Sequence, residues 1–306
     1  VMLDTPVKRL VQDHATKAIL GVIAEHDEKE ISIKANKAVI MTCGGFEGNR
    51  EMLATYIEPA PIPIYASGTP YNTGDGIKMV MDVGADLWHM NGIEWGFQGL
   101  KVPEYPAAFW ISPRDWGWIN VNRYGKRFRN ESDNYAHKNQ HLEVFYFNKE
   151  KTEWPNHPWF IIFDEKTKEA GSLIMKEFDT GRPPCITYNI SAGLYVPSHD
   201  NNREIENGWI AKADTLAELA EKIGVDPYGL RETITRYNQH CIGEGPSDPE
   251  FKRNPETMRP IDEPPYYAIE CAVNIINTQG GPKRNAKGQV LSPYDTPIPG
   301  LYAGGE

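Results

Sequence analysis

The sequence predicts an α/β chain, α+β overall, in which one discontinuous β-rich domain carries a second, mixed domain inserted in it. Three observations predict this. Short β-rich runs open the chain and return at its end, and a continuous apolar run at 38–43 (AVIMTC) is too short for a helix. Between about 96 and 275 the character changes to Trp- and Tyr-rich, irregular sequence with two well-signalled helices. A length of 306 residues suits two domains. The expected boundaries are 1–96 with 277–306 for the outer domain and 97–276 for the insert.

The first elements are runs at 1–11, 19–25 and 30–33, β-branched or alternating, with Asp, His, Lys and Gly between them, which read as an antiparallel meander. The run at 38–43 then reads as a strand buried on both faces and leads directly into Gly44-Gly45. Asn49 caps a helix with Met52, Leu53 and Tyr56 on one face, and Pro59, Pro61 and Pro63 enforce an extended connection. Asn72-Thr73-Gly74-Asp75-Gly76 opens a further helix with Ile77, Val80 and Met81 as its apolar face and Gly84 as its stop.

In the insert, V-N-R-Y-G-K-R-F reads as a hairpin turning at Tyr124-Gly125, with Lys126, Arg127 and Arg129 as a solvated basic edge. Thr215 and Glu218 form a capping box for a stripe of Leu216, Leu219, Ala220 and Ile223. Asp226-Pro227 starts the next helix, followed by Leu230, Ile234 and Tyr237. Residues 243–265, rich in Pro, Gly and charge, read as a surface loop, and β-rich runs at 272–276, 288–291 and 301–303 close the chain. The aromatics Phe109, Trp110, Trp116, Trp118, Tyr124 and Phe128 read mostly as core of the insert.

Composition excludes several classes. Net charge is −10, from 32 basic against 42 acidic residues with no Lys/Arg block, which argues against a nucleic-acid partner. No stretch approaches the roughly 20 apolar residues of a membrane span. Cys43, Cys185, Cys241 and Cys271 are scattered without C-x-x-C spacing, excluding a zinc ribbon or covalent haem in this stretch, and read as small buried hydrophobes. His137 and His141 stand at i, i+4 with no third ligand apparent, so a solvated or hydrogen-bonded role is expected. The chain starts inside a strand-like run and ends at LYAGGE without a finishing helix, so both ends are expected to be cut. Neither a compartment nor an electron donor or acceptor is marked by any residue pattern.

Three glycine-bearing turns carry the chemistry. Gly44-Gly45 follows a strand, Thr73-Gly74-Asp75-Gly76 sits at a helix start, and Gly304-Gly305-Glu306 follows the last strand. Glycine lets a ligand approach backbone N–H groups, and a helix N-terminus adds partial positive charge suited to phosphate. A carboxylate after a strand suits a ribose-type hydroxyl. Singly, each is also ordinary turn chemistry, and the G-x-G-x-x-G fingerprint is absent.

In combination they are more specific. The segments KAVIMTCGGFEGNREML, NTGDGIKMVMDVGADLWHM, INVNRYGKRFRNES and NTQGGPKRNAKGQVLSPYDTPIPGLYAGGE resemble, in order, flavoproteins of the fumarate reductase/succinate dehydrogenase type, a superfamily that also holds 3-ketosteroid dehydrogenases and urocanate reductases. The resemblance implies a partial FAD-binding, Rossmann-like domain with a β-meander and an inserted α+β capping domain, FAD as cofactor, and a small-molecule substrate between cap and flavin. It places Gly44 and Gly45 against FAD, Thr73, Gly74, Asp75 and Gly76 near the flavin side of the site, and Glu306 beside the FAD sugar and pyrophosphate. Thr278, Gln279, Gly280 and Gly281 resemble the loop lining the substrate cavity. His89, beside Trp88, is read as structural or flavin-proximal.

Two departures bear on the substrate. Ile276 and Asn277 stand where fumarate reductases place a His pair, one of which grips a substrate carboxylate, and Tyr135 stands where they place a proton-delivering Arg. Neither replacement offers a guanidinium's fork of donors. A Tyr at this position is similar to 3-ketosteroid dehydrogenases, where a cap-side Tyr handles a proton beside hydride transfer to FAD. Tyr135 is therefore expected to face the cavity near 278–281 as the catalytic acid or base, against the alternative of a packing tyrosine. The implied activity is hydride transfer between FAD and a carbon–carbon bond next to an activating carbonyl, on an apolar or cyclic enone-type substrate. The alternatives are a reductase of a small unsaturated carboxylate anchored by Arg114, Arg123 or Arg284, and a non-catalytic binding module. Without the phosphate-binding turn after a first strand, these residues alone are expected to hold FAD weakly or not at all.

Overall fold

Alternating apolar residues and tight turns produce the opening meander. The strands Val7–Gln12, Ile19–His26 and Lys29–Lys34 pair antiparallel in that order, and Leu10, Ile19 and Ile23 are turned inward. The first strand starts at Val7 rather than at the chain's first residue, and Val1, Met2 and Leu3 are exposed. The computed structural model describes residues 1–132, 140–175, 187–242 and 245–305, without the side chains of Trp95, Phe97, Gln140 and His141.

The chain divides into two compact units, Val1–Ile57 with Pro70–Glu94 and Asn277–Glu306, and Glu58–Thr69 with Trp95–Ile276. Glu58–Thr69, expected in the outer domain, groups with the second unit because its strand Ile64–Ala66 pairs in parallel with Val273–Ile275.

In the first unit the strand Val39–Met41 lies parallel to Pro297–Ala303, which is antiparallel to Gln289–Leu291. Met41, Met79, Val80, Val290 and Leu301 share one core with Leu10 and Ile19. Burial on both faces, expected for 38–43, does not hold: Ile40 is 67% exposed. Successive strand residues point to opposite faces, and the helix Asp75–Asp82 contributes its core residues on Met41's side. Asn49 caps Arg50–Tyr56 by accepting from Met52 N at 3.1 Å, and Gly74, at φ 78, starts Asp75–Asp82. On the second helix Ile77 and Val80 turn inward as expected, but Met81 is exposed and Met79 is buried instead. Met79 and Val80 lie three residues on from the buried Gly76 and Ile77, so the inward stripe misses 81.

The second unit is built on a sheet in the order Phe109–Trp110, Ile93–Leu100, Tyr266–Thr278, Trp159–Asp164, Trp118–Asn122. Every residue of Trp159–Asp164 is buried. One face, through Ile119, Val121, Phe160 and Ile162, packs on the helices Leu216–Ile223 and Pro227–Cys241 by way of Leu219, Ala220, Leu230, Ile234 and Tyr237. Of the six aromatics expected mostly as core, Phe109 and Trp118 are fully enclosed, Trp110, Tyr124 and Phe128 are half-buried, and Trp116 is exposed; Trp159 joins the core instead. Both helix starts follow the sequence: a reciprocal Thr215–Glu218 capping box, and Asp226 accepting from the backbone N–H groups of Tyr228 and Gly229.

Three expectations for this unit fail. The turn at Tyr124-Gly125 exists, with Gly125 N donating to Asn122 O at 2.9 Å, but no strand returns from it, and Trp118–Asn122 pairs with Trp159–Asp164 instead. The turn packs on a helix start: a Cβ on Gly125 would come 2.3 Å from Leu230 N. The basic run is not a solvated edge, because Arg127 and Arg129 are 7% and 1% exposed. Residues 243–265 are not simply a surface loop, because Asp248, Arg253, Met258 and Ile261 within them are buried.

Candidate functional site

The glycine turns of the first unit converge. Gly44-Gly45 leaves the strand Val39–Met41, and Gly304 leaves Pro297–Ala303 with its N–H donating to Met41 O at 3.0 Å. Together with Asn72, Gly76, Ile77, Trp88, His89 and residues 277–282 they line a cleft of about 660 Å³. The wall is cross-braced by Thr278, whose hydroxyl accepts from Phe46 N at 2.8 Å and donates to Glu47 Oε2 at 3.1 Å. Asn72 Nδ2 donates to the other carboxylate oxygen at 2.5 Å. Glu47 is thus buried and engaged by the wall's own groups.

The glycines fall into two kinds. A Cβ at Gly44 would come 2.4 Å from Asn72 Oδ1, at Gly45 2.2 Å from Thr278 Oγ1, and at Gly280 2.5 Å from Met90 Cα, so these positions let protein segments close on each other. Gly281 and Gly305 have nothing within 4 Å in that direction, and Gly304 only Thr42 Cγ2 at 3.8 Å. That second set leaves open space beside the backbone, a cradle side chains would fill, and it fits a cofactor that packs against main chain.

Of the residues singled out from sequence, Gly44, Gly45, Gly76, Thr278, Gln279, Gly280 and Gly281 line the cleft. Thr73, Gly74 and Asp75 do not; they build the helix start beside it. Thr73 Oγ1 donates to Asp75 Oδ2, and the Thr73 carbonyl accepts from Asn49 Nδ2 at 2.9 Å. Tyr135, Glu306, Cys185 and His137 lie outside the described residues, as does the His141 side chain. The sequence reading missed Cys43, which is exposed and lines the cleft rather than being buried, because the strand stops at Met41 and Cys43 already belongs to the glycine turn.

His89 adopts a left-handed backbone, φ 53, stacks on Trp88 with 4.8 Å between ring centroids, and lines the cleft. Its carbonyl accepts from Gly92 N at 2.7 Å, and the Gly92 carbonyl accepts from Gln279 N at 2.8 Å, which ties this turn to the 278–281 loop. Arg284, also on the lining, donates from Nη2 to Gly305 O at 2.5 Å.

The second unit holds a separate cluster of buried charge. Arg127 Nε donates to Glu131 Oε1 and Arg127 Nη2 to Asp248 Oδ2, both at 2.9 Å, and Arg253 Nη1 lies 3.6 Å from Glu131 Oε2. Asn120 N donates to Glu131 Oε1 at 3.1 Å. Burial opposes the Arg127 charge, and Glu131 with Asp248 more than restores it, so its pKa rises. Burial also pushes the Asp248 carboxyl up, but Arg127 overrides this and holds it below its usual range. Asn254 N donates to Ser132 Oγ at 2.9 Å, and Asn130 Nδ2 donates to Lys252 O at 3.0 Å, so residues 130–132 are fastened to 252–254. Among the described residues no group of His, Cys, Asp and Glu could hold a metal ion, and no helix is long and apolar enough to cross a membrane.

A cleft walled by glycine backbone, beside short parallel strands and a helix start, defines a protein of the dinucleotide-cofactor class. Residues 1–306 match the FAD binding domain family along their whole length, and the chain belongs to that family. It is 32% identical over 302 residues to a 3-oxosteroid 1-dehydrogenase of Mycobacterium tuberculosis, covering 92% of this chain and 49% of the relative. It is 29% identical over 308 residues to an NADH:fumarate oxidoreductase of Klebsiella pneumoniae, covering 100% of this chain and 28% of that one. Among solved structures, the 3-ketosteroid delta1-dehydrogenase of Sterolibacterium denitrificans, in complex with 1,4-androstadiene-3,17-dione, superposes with a TM-score of 0.77 at 26% identity, over 98% of this chain and 53% of that one. The chain spans about half the length of the 3-oxosteroid relatives it matches. FAD is the cofactor of this family.

Proposed function

We propose that the whole protein is an FAD-dependent oxidoreductase that moves hydride between flavin and a carbon–carbon bond next to an activating carbonyl, with an apolar or cyclic enone-type substrate. The observation that carries this is the cleft wall, in which glycine backbone is open to a ligand and Glu47, the one lining carboxylate among the described residues, is already engaged by Asn72 and Thr278. Gly304 and Gly305 would hold FAD by close backbone approach, with Gly44 and Gly45 lining the same wall against it and Gly76 and the Asp75–Asp82 helix start on the flavin side. When bound, FAD supplies the two-electron chemistry. The chain's own part is to orient substrate along Thr278–Gly281 and to move one proton at the Tyr135 hydroxyl. Glu306 would accept a hydrogen bond from the FAD sugar. In this reading the outer domain, without Glu58–Thr69, binds the cofactor, and the inserted domain contributes to substrate handling.

An apolar substrate is supported by the resemblance at three positions, where Ile276, Asn277 and Tyr135 replace carboxylate-handling groups, and by the names of the 3-oxosteroid relatives. A second reading, reduction of a small unsaturated carboxylate, is favoured by Arg284 on the cleft lining. Of the other candidate anchors, Arg123 already pairs with Glu153 at 4.0 Å and donates to the His157 carbonyl.

The test is anaerobic mixing of the full-length, FAD-loaded protein with a saturated cyclic ketone or 3-ketosteroid, followed by flavin absorbance. Bleaching is expected, and oxidation of the reduced flavin by fumarate alone, with no response to ketones, overturns the first reading. Tyr135→Phe should lower turnover ~10²-fold or more with folding intact. Near-normal turnover would return Tyr135 to a packing role.

A further inference from the structure

Three amide side chains in the second unit are enclosed yet incompletely bonded. Gln98 is 1% exposed, and Asn120 and Asn274 are 0% exposed. Asn120 Nδ2 donates to Gln98 Oε1 at 2.7 Å, which leaves Gln98 Nε2 and Asn120 Oδ1 without a partner among the described residues. Both amide atoms of Asn274 are in the same condition. Turning over the Gln98 and Asn120 amides together exchanges which atoms bond, but still leaves one donor and one acceptor over.

Gln98 and Asn274 stand on adjacent strands, and the hydrogen bond to Gln98 brings in Asn120 from Trp118–Asn122, two strands along the sheet from Tyr266–Thr278. Asn274 lies on Tyr266–Thr278, beside Ile93–Leu100, which carries Gln98. Gly96 and Gly99, on either side of Gln98 in sequence, both face Asn274: a Cβ would come 2.8 Å from its Nδ2 in one case and 2.7 Å from its Cβ in the other. Missing side chains on one strand thus make the space that the Asn274 amide fills on the next.

The unbonded set is two donors and two acceptors, all uncharged. A cation would need oxygens only and an anion donors only, whereas water offers both functions at once. Buried polar groups in folded proteins are rarely left unbonded, and enclosed polar sites are where internal waters are held. We propose that Gln98, Asn120 and Asn274 form an internal hydration site, in which ordered water completes the amides and ties Tyr266–Thr278 to the strands that carry Gln98 and Asn120.

A crystal structure of the full-length protein at a resolution that orders solvent tests this. A peak within hydrogen-bonding distance of the Asn274 amide, and of Gln98 Nε2 or Asn120 Oδ1, is the expected result. An empty site, or amides rotated to bond other protein groups, overturns the proposal. A peak present only with added ketone substrate would assign the oxygen to substrate and overturn the water assignment. Asn274→Leu, nearly the same shape, gives a second reading. With bound water in place it lowers the unfolding midpoint. A midpoint equal to or above that of the parent protein means that the amide had no partner to lose.

Discussion

The cleft of the first unit and the charge cluster of the second are both made from short motifs that stand out in the sequence, and they are built in opposite ways. The cleft removes side chains: its glycines either let segments close on each other or leave backbone bare to a ligand. The cluster adds them, placing Arg127, Glu131, Asp248 and Arg253 out of water, where Arg127 is bonded by both carboxylates and Arg253 by the carbonyls of Trp116, Trp118 and Thr257. A glycine's role is set by its own backbone and immediate contacts. A buried arginine's role is set by carboxylates that arrive from elsewhere; Asp248 is 121 residues from Arg127. Local sequence therefore advertises the first kind of site and conceals the second.

The largest expected effect tests the cluster. Glu131→Ala leaves Asp248 alone to balance the buried Arg127 and Arg253 charges and takes the acceptor from Asn120 N, and removing one partner of a buried pair costs about 3–5 kcal/mol. Urea unfolding checks this, and a loss below about 1 kcal/mol would mean the cluster is not mutually dependent.

A matched pair within the cleft comes next. Gly280→Ala drives a methyl against Met90 backbone and should cost about 1–3 kcal/mol, while Gly281→Ala, with nothing within 4 Å, should stay within about 0.5 kcal/mol of the parent. Equal effects at the two neighbours would erase the distinction between closing and open glycines.

Legibility follows the same line. The Asn49 and Asp226 caps, the Thr215–Glu218 box and the opening meander were readable because their determinants lie within a few residues of one another. The convergence of Gly44-Gly45 with Gly304 was suggested by the resemblance of ordered segments, and neither turn specifies it alone. Arg127 reads as surface because its sequence neighbours are Lys126 and Arg129, and nothing nearby announces Asp248 or Arg253. The strand Tyr266–Thr278 is longer than the 272–276 run because its first half is pinned by Trp159–Asp164 and Ala211–Ala213. Ile40 looks interior by composition, yet the strand's alternation turns it to the outer face.

The smallest effect is a pH dependence in the second unit. Burial, then the nearby Arg123 charge, lowers the pKa of His157 below its ordinary 6.5. Its contribution to stability is full above the unfolded value near 6.5 and is lost as pH falls through the lower folded value. The unfolding midpoint should therefore drop on acidification from neutrality, before the carboxylates titrate, and His157→Phe should flatten that slope. An unchanged slope in the variant would assign the acid sensitivity elsewhere.

The parallel pairing of Ile64–Ala66 with Val273–Ile275 has a consequence for how the protein is made. Beside it, Ser67 Oγ donates to Ile275 O across 208 positions of sequence. At 5–20 residues per second, the ribosome delivers the second strand roughly 10–40 s after the first. Ile64, wholly buried at the end, spends that interval without its neighbour. The preceding Pro59, Pro61 and Pro63 cannot donate to a β-ladder, and this limits mispairing of the waiting segment with another nascent chain.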